Sequence, residues 1–317
     1  MALDLPLAPR PANQLVINWH VTEVCNYSCQ YCYAKWEAPD RQRDLIHDPV
    51  RTRELLVRIY EFFHPQNDTN PLRQHMQWDS VRLNLAGGEP LLYPRRLIDM
   101  LPVARDIGFD VSLITNGSRL DRELMTALAP STSLLGLSID SASPRSNQEI
   151  GRLDRRGREL DISKLADAVD EGRRRNPTLK VKVNTVVNKV NESEDLTSVI
   201  QHLRPEKWKV LRMLPVVDDR LAVSQQAFAD FVNRHAHLAA IRQIEDNQDM
   251  TESYLMVDPM GRFFQNAVSD SVKGYRYSQP ILDIGAASAF AGMRFSAPKF
   301  LFRYTAPSQT PQWLKSS

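Results

Sequence analysis

The chain has 317 residues, 42% of them hydrophobic and 25% charged, which suits one large globular domain or a domain with an extension. Lys and Arg number 40 against 38 Asp and Glu, a net charge of +2, which excludes a broad nucleic-acid-binding surface but allows a local anion pocket. No stretch approaches the roughly 20 apolar residues of a membrane span, and the opening MALDLPLAPRPANQ has no basic start followed by an apolar run, so a soluble cytoplasmic protein with reduced thiols is expected.

After an N-terminal tail, residues 1–13, the run Leu15–Trp19 reads as a strand. CNYSCQYC, residues 25–32, follows it and holds all three cysteines of the chain. The spacing of Cys25, Cys29 and Cys32 argues for a metal centre with three thiolate corners and one open position. Structural zinc commonly takes four ligands in two separated pairs. Here a zinc site would need His20, which is expected on the strand. A cubane iron–sulfur cluster accepts soft thiolates and fits the spacing better.

Further strands are predicted at 81–88, 109–117, 133–140, 179–187 and 208–216. Helical patterns lie at 50–63, 94–107, 121–129, 161–175 and 192–203, with Pro94 and Asp121 at starts and Gly108 at a stop. Six strands with crossover helices imply an α/β fold with a parallel sheet, a partial (β/α)6 barrel over 14–216. The cysteine loop then sits at the C-terminal end of the first strand, where such barrels place their chemistry. The basic run 173–175 reads as a solvated helix end favoured by the helix dipole. Beyond 216 the alternation fades. AVSQQAFADFVNRHAHLAAI is expected to be helical and ESYLMVDPMGRFF a short strand pair, with no further βα unit, so 217–317 reads as a C-terminal extension covering the active site.

Candidate binding residues lie at strand ends. In LAGGEP, Gly87 and Gly88 permit close backbone approach and Glu89 supplies an acceptor for an ammonium group. Asn116 in TNG and Ser138 in LSID offer short polar groups, and Arg152 in EIGR a guanidinium. Lys180, Lys182 and Asn184 share one face of their strand, and Lys207 and Lys209 alternate with Trp208 and Val210. A lysine facing inward is costly unless it meets an anion, so a phosphate-bearing substrate is indicated.

With Tyr31 ahead of its last cysteine, CxxxCxxC resembles the signature of the radical S-adenosylmethionine superfamily. That resemblance implies one [4Fe-4S] cluster on Cys25, Cys29 and Cys32, whose unique iron chelates the amino and carboxylate groups of S-adenosyl-L-methionine. It implies Tyr31, Gly87, Gly88 and Glu89 around that cofactor, Glu89 on the methionine amine, Asn116 and Ser138 at its ribose or methionine end, and Arg152 on its carboxylate. The implied chemistry is reductive cleavage of the sulfonium to a 5′-deoxyadenosyl radical, with an external one-electron donor such as flavodoxin or ferredoxin.

NWH, CNYSCQYC, LAGGEP, LITNGS, LSIDS, IGR, KVNTVVN, KWKV, ESYLMVD, MGRFF and PILDIG follow in the order of the viperin-like family, over about residues 14–290. This similarity implies conversion of a ribonucleoside triphosphate (CTP, UTP or GTP) to its 3′-deoxy-3′,4′-didehydro form, an antiviral chain terminator. The 4′ hydrogen is abstracted and the 3′ hydroxyl leaves as water. Carried over, Lys182, Asn184 and Lys209 contact phosphate or ribose, Asn18 and His20 line the same cavity, Tyr254 is the late hydrogen donor, and Arg262 touches base or phosphate. Animal members begin with an amphipathic membrane helix that this sequence lacks. The segment beyond 290 matches poorly, and Lys299, Arg303 and Lys315 are its candidates for closing over a triphosphate. Two other readings stay open: a radical enzyme acting on a peptide or other small molecule, and a zinc-binding interaction protein.

Overall fold

Capping sets the helices. Asp48 accepts hydrogen bonds from the amides of Val50 and Arg51 and, with Pro49 following, starts one helix; Gly108, in the left-handed region, ends the next. The computed structural model describes residues 10–32, 43–215, 219–266 and 275–305. Its first half runs β1 (Arg10–His20), α1 (Pro49–Phe63), β2 (Met76–Ala86), α2 (Pro94–Ile107), β3 (Asp110–Thr115), α3 (Arg122–Leu128), β4 (Leu134–Ser138), α4 (Pro144–Ile150) and α5 (Ile162–Arg175). Then come β5 (Lys180–Val187), α6 (Thr197–Leu203), β6 (Lys207–Arg212), α7 (Gln225–Arg234), β7 (Arg242–Glu245) and α8 (Asn247–Met250). The chain ends with β8 (Leu255–Val257), β9 (Arg262–Asn266), β10 (Tyr275–Pro280), α9 (Ile281–Ile284), α10 (Ala286–Ala291) and α11 (Ala297–Thr305).

All ten strands form one sheet in the order β10-β9-β8-β1-β2-β3-β4-β5-β6-β7. From β8 to β7 every neighbouring pair is parallel, and β9 and β10 add antiparallel. The sheet curls as an open barrel of the partial (β/α)6 type. Its two faces separate cleanly by parity. On β5, Val181, Val183, Thr185 and Val187 are buried toward the helices, while Lys182, Asn184 and Val186 line a central cavity. On β6, Trp208 turns outward to meet Phe231 and His235 edge-on, and Lys209 turns inward. Complete burial of Trp19, Trp78 and Trp208 anchors the helix-facing core, each large apolar side chain stabilising by about 1.5–3 kcal/mol.

The structure corrects four expectations. β1 starts at Arg10, inside the supposed tail, and pairs with β2 from Met76 onward. The extension does carry a further βα unit, because β7 adds parallel to β6 after α7. That strand is only RQIE, too short and too charged to announce itself. The last-turn arginines of α5 are not merely solvated: Arg174 and Arg175 pair with the buried Glu171, and Arg173 reaches Glu206. Helix α6 begins at Thr197 rather than near 192, because Asn191 and Glu194 are engaged elsewhere, on Asp140 and Ser141. The ESYLMVDPMGRFF pair is present as antiparallel β8 and β9.

Candidate active site

The cysteine loop leaves β1 and is fastened from two sides. The amides of Gly88 and Glu89 donate to the carbonyls of Thr22 and Val24, each at 2.8 Å. A Cβ on Gly88 would lie 2.1 Å from the Val24 carbonyl oxygen, so the glycine is required by the approach of the loop itself. From the far side, Ser28 and Gln30 donate their amides to the carbonyls of Gly151 and Ile150. Gly151 has φ +89, and a Cβ there would meet the Ser28 carbonyl oxygen at 2.4 Å. Between these supports Cys25, Cys29 and Cys32 stand as thiols on the wall of one cavity. Burial pushes the Cys25 thiol up to about 11.

Glu89 is completely buried at the head of this cavity. Its Oε1 accepts from the Leu91 amide and the Thr115 hydroxyl, and its Oε2 from the Asn116 amide at 2.7 Å. Burial still raises its pKa above the ordinary carboxylate value. The Asn116 side chain donates to Asn26 Oδ1 at 3.0 Å beside Cys25.

Arg152 lines the same cavity, but the anion it meets is Asp140 of the chain itself, at 3.1 Å. It also donates to the Tyr31 oxygen at 3.2 Å and to the Ser138 carbonyl. Tyr31 in turn donates to Asp140. Asp140 thereby joins the cysteine loop, the end of β4 and, through the Val186 amide, β5.

The cavity, about 300 Å³, runs from the cysteines into the barrel. Along its floor the amide of Asn84 donates to Asn18 Oδ1 at 2.8 Å, Ser112 donates to Asn84 at 2.7 Å, and Asn18 donates to the Leu255 carbonyl. Asn184 lines the wall with its buried Oδ1 unbonded in the structure. Lys182 also faces in, its ammonium pulled well below the usual lysine range by burial and by Lys209. Lys180 and Lys207 are exposed and lie outside the lining.

Lys209 is buried, and here too the expected anion is internal: Glu245 of β7. Glu245 also accepts from Arg303 at 2.9 Å and from the Tyr254 phenol at 3.3 Å. Arg303 is 1% exposed and stacks 3.5 Å over the Tyr254 ring. Arg303 thus belongs to the cavity, as the sequence allowed; Lys299 bonds the Thr251 carbonyl, and Lys315 lies outside the described residues.

Arg262 is a correction. It does not line the cavity; it pairs with Asp258 at 2.6 Å and stacks on Tyr277 at 4.5 Å, since its place at the start of β9 turns it toward β10. Asn84, Ser112, Asp140 and Glu245 were not singled out in the sequence. Asp140, two residues after Ser138 in LSID, and Asn84, in register with Asn18, carried a positional signal; Glu245 carried none.

Comparison with known proteins places this geometry. The model of the radical SAM superfamily matches residues 19–203. An S-adenosylmethionine-dependent nucleotide dehydratase of Pseudoalteromonas ulvae is 41% identical over 291 residues, covering 92% of this chain and 93% of that one. The chain belongs to the radical SAM superfamily and to its viperin-like branch. The S-adenosylmethionine-dependent nucleotide dehydratase RSAD2 of Oncorhynchus mykiss is 27% identical, over 90% of this chain and 78% of that protein. The fold matches a solved structure described as native anSMEcpe with bound AdoMet, with a TM-score of 0.60 at 14% identity over 96% of this chain and 86% of that one.

A radical SAM enzyme takes a [4Fe-4S] cluster and S-adenosylmethionine, and the donor set fits that pair. Three thiols face one cavity. A zinc site would take His20 as its fourth ligand. His20 instead packs edge-on against Phe264 at 5.0 Å, and burial holds its imidazole down at about 4. Among the described residues no helix is long and apolar enough to cross a membrane.

Proposed function

We propose that this radical SAM enzyme dehydrates a ribonucleoside triphosphate (CTP, UTP or GTP) to its 3′-deoxy-3′,4′-didehydro form, in the cytoplasm, with flavodoxin or ferredoxin as the electron donor and no stable nucleic-acid partner. The observation that carries the reading is one continuous cavity with thiols at one end and Lys182, Lys209 and Arg303 deeper in the barrel. Its amide-and-hydroxyl floor, Asn18, Asn84 and Ser112, suits a sugar lying between a polyphosphate and the cysteine loop. The nucleotide dehydratase activity for which the relatives are named supports the same substrate class.

Cys25, Cys29 and Cys32 would hold the cluster, and Glu89, Asn116 and Ser138 would face S-adenosylmethionine. When bound, these groups supply the radical that removes the 4′ hydrogen. The protein's own part is placement: the fastened cysteine loop and a buried cavity fix which hydrogen is nearest and keep water away. Tyr254, held between Glu245 and Arg303, is positioned to give up its phenolic hydrogen late in the reaction.

The test is anaerobic incubation of reduced enzyme with S-adenosylmethionine and each nucleoside triphosphate in turn. One nucleotide is expected to raise 5′-deoxyadenosine release and to yield a product lighter by one water. Release that is equally fast with no nucleotide, or that responds only to peptides, would count against the reading.

A further inference from the structure

Glu245 ends β7 and stands behind the cavity wall rather than on it. Its Oε1 accepts from Lys209 Nζ. Its Oε2 accepts from Arg303 Nε at 3.1 Å and Nη2 at 2.9 Å, and from the Tyr254 hydroxyl at 3.3 Å. All three donors are on the wall, and they come from β6, α11 and the turn before β8. Burial works to raise the Glu245 carboxyl, but Arg303 and Lys209 outweigh it and hold it at about 2. A full negative charge therefore sits against two of the cations that face the cavity.

We propose that Glu245 is a positioning residue: an internal counter-anion that draws Lys209 back from a bound polyphosphate and so limits how tightly the cavity grips it. This rests on the nucleotide reading. Dehydration at the sugar leaves the triphosphate unchanged, so substrate and product offer the same anion to the same cations. Extra affinity at that end would bind both equally, add nothing to the chemical step and slow product release.

Glu245→Gln separates this role from simple support. With the amide oxygen in the place of Oε2, glutamine still accepts from Arg303 and Tyr254, while its NH₂ faces Lys209 and releases it into the cavity. Calorimetric titration of the cluster-loaded, full-length enzyme with tripolyphosphate is run at about pH 6, well below the Lys209 value of about 8, because the variant loses the carboxylate that sustains the ammonium; binding roughly three- to tenfold tighter is expected in this variant. The gain should vanish in Glu245→Gln/Lys209→Met. A residue that only braced α11 would weaken binding when replaced. Equal or weaker affinity in a folded variant, or a gain that survives loss of Lys209, overturns the proposal. Glu245→Asp, which withdraws the carboxylate by a methylene, is the second variant in case the first does not fold; it should move affinity the same way by a smaller factor, and unchanged or weaker binding overturns the proposal equally. If the wild type binds neither tripolyphosphate nor any nucleoside triphosphate, the nucleotide reading falls as well. Normal nucleotide turnover with unaltered variant affinity sinks this inference alone.

Discussion

Asp140 and Arg152 form an ion pair at 3.1 Å in which the two side chains are 1% and 7% exposed. The pair ties the second residue beyond β4 to the segment that braces the cysteine loop, and Tyr31 joins it from the loop itself. Removing the acid strands a buried guanidinium, which costs roughly 3–5 kcal/mol. Asp140→Ala is therefore expected to lower the thermal unfolding midpoint sharply and to weaken S-adenosylmethionine binding, with Asp140→Asn milder in both. Anaerobic calorimetry measures the two effects; a variant as stable as the parent would remove Asp140 from the frame.

Cys29 lies between the loop's two supports and has no disulfide partner. Cys29→Ala is expected to fold, because the fastening bonds of the loop are made by backbone amides and carbonyls. Iron and sulfide content should fall to a small fraction of wild type, and 5′-deoxyadenosine formation with it. Full iron content together with turnover would refute its role as a ligand.

Strand-end motifs carried most of the fold and half of the site. Alternation along β5 and β6 placed Lys182, Asn184 and Lys209 on one wall, because a strand's two faces are fixed by parity. What stayed hidden was which anion each cation meets. Asp140 lies on a loop and Glu245 on a short strand, neither distinctive in sequence, and only the assembled sheet brings them to Arg152 and Lys209. Arg262 was misread for the same reason: its partner Asp258 is four residues back, across a turn whose direction the sequence does not state. β7 was missed because four residues of mixed polarity show no period long enough to recognise.

Lys209→Ala should weaken nucleoside triphosphate binding by roughly tenfold, the loss of about one charge-assisted contact. Lys209 is on β6, away from the loop that carries the cysteines, so the iron content and visible spectrum are expected to be unchanged. Equilibrium dialysis with a nucleotide checks the first part and iron analysis the second. Unchanged affinity would take Lys209 out of the binding wall.

A pH dependence follows from the same lysine. Burial pulls the Lys209 ammonium down to about 8, against the pull of Glu245 from β7, with Arg303 of α11 and Lys207 of its own strand adding to the depression. Tyr304 lies under it from α11, its ring centroid 5.4 Å from Nζ, and Lys182 faces it from β5. The charged form binds the anion and predominates below this value; the neutral form predominates above it. Affinity for tripolyphosphate is therefore expected to fall as pH rises through about 8, between roughly pH 7 and 9. Because a bound anion favours the ammonium, binding near pH 8 should also take up a proton, seen as a dependence of the calorimetric heat on buffer ionisation. Comparison with Lys209→Met cancels the ligand's own titration. If the two proteins follow the same pH profile, the titrating group is elsewhere.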